Sequence, residues 1–155
     1  MTDAPQPAID MAALSRKFAL WEASATALVP QNKASLFASL ASANITRVTV
    51  IFDGEGDSGQ IEDIQAFNGD VPASLPEQQI DMLDLPYGES QAVTRQQGAA
   101  VAIETLAYDL LREKHEGWEN SDGAYGEFIF DVVAGTITLD YNERFMSSEN
   151  HVHEW

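Results

Sequence analysis

Two segments late in the chain, Glu127-Phe128-Ile129-Phe130-Asp131-Val132 and Thr136-Ile137-Thr138-Leu139-Asp140-Tyr141, alternate apolar and polar residues around Ala134-Gly135. Period-two alternation on both sides of a tight turn predicts an antiparallel hairpin with one buried face and one wet face. An earlier run, Ile45 to Phe52, is β-branched and aromatic, and reads as a strand with Val48, Val50 and Phe52 on one face. Across the glycine-rich turn Gly54–Gly59 it meets a partner strand, Gln60 to Phe67. The apolar phase slips between Ile61 and Ile64, and a β-bulge there reconciles the two. Any fold must therefore satisfy two hairpins.

The remaining segments supply helices. Met11, Leu14, Phe18, Trp21 and Ala25 recur at three- and four-residue spacing, so a helix from Asp10 is expected to bury that stripe. Pro30 ends or interrupts it, and a second helix is expected over 32–43 with Leu36, Phe37 and Leu40 inward. From Ser90 to Glu116 the stripe Val93, Ala100, Ile103, Leu106, Ala107, Leu110 and Leu111 predicts a long helix stopped by Gly117, with Gly98 in its interior marking close packing. Residues 68–87 carry Pro72, Pro76 and Pro86 and read as loop, with a short edge strand over Ile80–Leu85. The expectation is an α+β domain of about four to five antiparallel strands packed on helices, in the order α-α-β-β-α-β-β. Residues 1–8 read as a lead-in, 9–145 as a single domain, and 146–155 as a tail or edge strand.

Charge narrows the function classes. The chain has 155 residues and a formal net charge of −17. Residues 1–50 are slightly basic, whereas 22 of the 25 acids fall in residues 51–155, a net of −18. Such a field repels nucleic acid and anionic membranes and attracts basic surfaces. Cysteine is absent, which removes disulfides, thiolate chemistry and Cys-based zinc sites. No apolar run approaches the roughly 18 residues of a membrane span, and the first residues lack a basic targeting region, so the chain reads as cytoplasmic.

Two acidic, glycine-rich turns are the candidate functional stretches: Phe52 to Asp63, and Gly117 to Glu127. They are expected to meet on one side of the domain. Asp53, Glu55 and Asp57 alternate as oxygen ligands do in a calcium loop, which makes a Ca or Mg site one reading. The glycine falls at position 7 rather than 6, Ile64 stands where a bidentate Glu belongs, and both flanks read as strand. Gly56-Asp57-Ser58-Gly59 is similar to the nucleophile motif of trypsin-like proteases, but that chemistry needs a His upstream. Here His115, His151 and His153 all lie downstream. Carboxylate pairs such as Asp57 or Glu62 with Glu119, Asp122 or Glu127 would suit acid–base chemistry, yet no spacing fixes one. His151-Val152-His153-Glu154 would put both imidazoles on one face if extended, near Glu149, and could grip a transition metal.

Trp118, Tyr125 and Trp155 stand among acids, either as anchors for a basic partner or as caps on the sheet. The binding surface so defined comprises Asp53, Glu55, Asp57, Glu62, Asp63, Trp118, Glu119, Asp122, Tyr125 and Glu127. The chain reads as a non-enzymatic acidic binding protein, an inhibitor or DNA mimic acting on a basic nucleic-acid-binding partner. A divalent-metal domain using residues 53–63, and a small subunit of a larger assembly, are the alternatives.

The segments Asp53 to Glu62 and Gly117 to Phe128, with Leu139-Asp140-Tyr141-Asn142-Glu143-Arg144 and the His-Glu-aromatic ending, resemble a family of small acidic bacterial proteins of unknown function. Its members share D-G-x-G-D-S-G-Q-I-E and G-W-E-N-x-D-G-A-Y-G-E-F. The resemblance covers roughly the last two thirds of the chain and implies no activity, cofactor or catalytic residue.

Overall fold

The computed structural model describes residues 11–55, 58–115, 123–143 and 149–155. Its elements run α1 (Met11–Thr26), α2 (Val29–Ser42), β1 (Arg47–Glu55), β2 (Ser58–Asn68), β3 (Val71–Ala73), β4 (Ile80–Asp84), β5 (Val93–Gln97), α3 (Ala99–Lys114), β6 (Ala124–Asp131), β7 (Thr136–Glu143) and β8 (Glu149–Glu154). Six strands form one antiparallel sheet in the order β3-β2-β1-β6-β7-β8, and β4-β5 form a separate ribbon. The fold is α+β, with more strands than the two hairpins alone supply. Both hairpins form, and β1 joins them by pairing with β6.

Strand parity builds the core. On the inner face Phe52, Gly126, Tyr141 and His151 make one row across the sheet; Val50, Phe128, Leu139 and His153 make the next. Leu36, Phe37 and Leu40 of α2 and Ala102, Ile103, Leu106, Leu110 and Leu111 of α3 pack on that face. The rings of Phe37 and Phe130 lie 6.1 Å apart where α2 meets the sheet. Gly126 is required here: a Cβ on it would strike the Asp140 backbone carbonyl and reach within 3.1 Å of the Phe52 ring. Its bare backbone leaves room for Phe52 and Tyr141 to stack across it at 6.2 Å. The expected bulge is present: Ile51 pairs with Asp63 while Phe52 pairs with Ile61, leaving Glu62 as the extra residue. Ile61 and Ile64 thereby both pack against the core. At the second hairpin, Gly135 takes a positive φ of 73° to reverse the chain.

Five expectations need correcting. The third helix begins at Ala99, because Val93 to Gln97 pair with β4 instead. Gly98 is its extended N-cap, and a Cβ there would meet nothing within 4 Å, so close packing is not its role. Pro30 sits in the first turn of α2, where its missing N–H costs nothing, and α2 starts at Val29. The Ile80–Leu85 stretch does form a strand, but in the ribbon rather than at the edge of the main sheet. Finally, the α1 stripe is not buried: Met11 is 68% exposed, Leu14 45% and Phe18 39%. Only the C-terminal half of α1 leans on the body, chiefly through Trp21. Its indole N–H donates to the Leu85 carbonyl at 2.9 Å, and its ring meets Tyr87 edge-on.

The ribbon is tied to α2 by Asn32, the buried polar residue among those described. Its amide donates to the Leu83 carbonyl at 2.9 Å and accepts from the Leu83 N–H at 2.7 Å. Among the described residues no helix is long and apolar enough to cross a membrane.

Candidate functional site

α2 and α3 pack on one face of the sheet, no helix among the described residues packs on the other, and strand parity decides the composition of that open face. Asp63, Ile51, Glu127, Asp140 and Val152 stand side by side across β2, β1, β6, β7 and β8. The next row toward the hairpin tip reads Gln60, Asp53, Tyr125, Asn142, Asn150; the row on the other side reads Gln65, Thr49, Ile129, Thr138, Glu154. Glu127 is directly opposite Asp140, an arrangement of like charges that works against the sheet. Among the described residues of this face the cation is Arg47, at the far end of β1, with its guanidinium over the Phe67 ring at 4.5 Å. Exposed apolar groups interrupt the acids: Ile51, Tyr125 and Val152 are 41%, 39% and 60% exposed.

Polar bonding orders one corner of the face. Asn150 donates to a carboxylate oxygen of Asp140 at 2.6 Å and to the Asn142 carbonyl oxygen at 2.8 Å. Asn142 donates to the backbone carbonyl of Tyr125 at 3.3 Å. Side chains of β7 and β8 are thus bonded to one another around Asp140 and tied to the backbone of β6. The acidic surface is therefore organised over several strands.

Of the residues singled out from sequence, Asp53, Asp63, Tyr125 and Glu127 fall on this one face, and Glu62 lies exposed at the bulge beside it. Glu55 closes the hairpin by pairing with Ser58. Asp57, Trp118, Glu119 and Asp122 lie outside the described residues. The strand ends bounding the two glycine-rich turns are neighbours, since Gly54 pairs with both Gly59 and Ala124. Past the bulge the ladder runs on to Glu55 and Ser58, so residues 53–55 and 58–64 lie in the two strands of the first hairpin. Asp140, Asn142, Asn150, Ile51 and Val152 were missed in sequence. Asp140 was within reach, because hairpin parity turns it outward once Ile137 and Leu139 turn in.

A second cluster sits at the edge of the inner face. His151 and His153 share that face of β8, as the alternation predicted, and Trp155 follows them against the core. His115, the C-cap of α3, stacks flat on Tyr141 with ring centres 3.6 Å apart and planes within 6°. Its Nε2 lies 2.8 Å from Nε2 of His153. Partial burial, with His153, His151 and Lys114 nearby, pushes the His115 pKa down to about 4. Partial burial, Lys114 and His151 lower that of His153. Elsewhere, burial raises the Asp109 carboxyl above its usual value, against the opposing pull of Arg112 at 3.0 Å.

A family model matches residues 28–155, from just before α2 to the end of β8, under the description "Family of unknown function (DUF6878)". The chain belongs to this family. Comparison with curated proteins and with solved structures returned no match. The sheet, the open face and the histidine cluster lie within the matched region, whereas α1 precedes it.

Proposed function

We propose that this family member is a non-enzymatic acidic binding protein whose open sheet face docks on a basic surface of another protein. That surface is one that otherwise holds nucleic acid, so the chain acts as an inhibitor or DNA mimic. The observation that carries the reading is the Glu127–Asp140 pair, set directly across two strands and flanked by Asp63 and Asp53. Folding alone would favour opposite charges or polar pairs at those positions. A basic partner removes the repulsion on binding, and Ile51, Tyr125 and Val152 offer apolar contact between the charges.

The same field disfavours nucleic acid as a direct ligand. The test is displacement. A labelled DNA duplex held by an arginine- and lysine-rich DNA-binding domain is titrated with the chain, and fluorescence anisotropy is followed at low and moderate salt. Release of the duplex that weakens steeply with salt supports the reading. Retention of the duplex across a panel of such domains at low salt sinks it.

A further inference from the structure

Every histidine in the chain comes to one place, although His115 and His153 are 38 residues apart in sequence. We propose that His115 and His153, with His151 beside them, bind a divalent transition-metal ion, copper or nickel in preference to zinc. The proposal is independent of the open face.

The two Nε2 atoms face one another at 2.8 Å. Metal–imidazole bonds of about 2.0–2.1 Å place two ligand nitrogens about 2.9 Å apart at a right angle, and about 3.3 Å apart in a tetrahedron. The observed spacing is close to the right-angle edge of a tetragonal site, the geometry of Cu(II) and Ni(II), and the hydrogen bond that the two rings now share is given up as both nitrogens turn toward the metal. Zinc would require the rings to separate by about half an ångström.

The first ligand is held in advance. His115 stacks on Tyr141, itself only 3% exposed, which fixes the plane of the imidazole with Nε2 directed at His153. The second is fixed at the backbone by pairing of His153 with Leu139, and its ring lies between those of His115 and Trp155. His151 pairs with Tyr141 two positions away on the same face, and its ring centre is 5.7 Å from that of His115. Among the described residues no three His, Asp or Glu side chains already converge on one point. The site is thus a two-imidazole clamp into which His151 turns on binding.

Imidazole suits copper, nickel and zinc and discriminates against calcium and magnesium, which want oxygen. Lys114 lies close enough to influence His115 and His153, and its charge moderates the affinity. Three inward positions at the edge of β8 carry His, His and Trp where the neighbouring strand carries Tyr141, Leu139 and Ile137. Apolar side chains would have closed that edge equally well.

The experiment titrates untagged, metal-free full chain with CuCl2, NiCl2, ZnCl2 and CaCl2, by calorimetry and by tryptophan fluorescence. One equivalent of copper is expected to bind tightest, nickel and zinc less tightly, and calcium not at this site. Trp155, whose ring centre lies 5.9 Å from that of His153, should be quenched by paramagnetic copper. His153→Gln should weaken copper at least tenfold, and His151→Gln several-fold. Because His115→Gln disturbs the stack on Tyr141, ligation is also read from nitrogen hyperfine structure in the Cu(II) EPR spectrum. Two or three nitrogens are expected in the parent, and one fewer in His153→Gln. Copper binding left unchanged by His153→Gln, or an all-oxygen spectrum, would overturn the proposal.

Discussion

Replacing Glu127 by glutamine removes one of two carboxylates held opposite each other across β6 and β7 while keeping the shape of the side chain. Glu127 is half-buried, and the neighbouring row position on β1 is Ile51, which offers no charge. Cross-strand like-charge pairs cost about 0.2–1 kcal/mol, so Glu127→Gln should stabilise the fold by that amount. In a domain of 155 residues this corresponds to a rise in melting temperature of up to about 4 °C. Glu127→Lys, which adds an attraction to Asp140, should do at least as well. Asp140→Asn is the poorer probe, because Asp140 accepts from Asn150 and the exchange disturbs that bond. The assay is urea and thermal unfolding at low and at 0.5 M salt. The gain should shrink as salt rises, since screening already relieves the parent. A loss of stability at low salt, or a gain indifferent to salt, would refute the claim that this face is held against its own repulsion.

Other consequences are independent of the open face. Asn32→Ala leaves the Leu83 N–H and carbonyl without their partners, and should cost about 2–4 kcal/mol by denaturant unfolding. Gly126→Ala drives a methyl into the Asp140 carbonyl and should cost about 1–3 kcal/mol, where an alanine at Gly98 should be tolerated. In metal-free buffer the depressed His115 means that the unfolded chain takes up its proton first. That contribution to stability is complete above pH 6.5 and is lost as pH falls toward about 4. It amounts to about 1 kcal/mol once solvent screening of a partly exposed ring is allowed for. In His115→Gln this part of the pH profile should flatten, as followed by melting temperature between pH 7.5 and 4.

The sheet was legible because a strand with one wet face writes its parity into the sequence. Phe128, Phe130, Ile137 and Leu139 alternate with polar neighbours, and the phase slip at Ile61–Ile64 located the bulge. β5 was not legible: Thr94, Arg95, Gln96 and Gln97 pair in a ribbon that buries little on that side, so they carry no alternation. The apolar stripe of the following helix overran them. In α1 the periodicity correctly gave a helix, but periodicity cannot tell whether a stripe is covered. The histidine cluster needed a tertiary contact, since nothing local links the C-cap of α3 to an edge strand reached through two hairpin strands. On the open face, Glu127 was visible as an acid, but its significance lies in Asp140 opposite.

The central claim, that the open face rather than total charge recognises a basic partner, is tested most directly by a charge-matched comparison. One variant carries Asp63→Asn, Glu127→Gln and Asp140→Asn on the face; the control carries Glu77→Gln, Asp81→Asn and Glu89→Gln at exposed positions elsewhere. Both lose three negative charges, and both are titrated against the same basic domain in the duplex-displacement assay at equal salt. The face variant should lose displacement by tenfold or more while the control stays close to the parent. Equal losses would reduce the interaction to bulk charge and contradict the account.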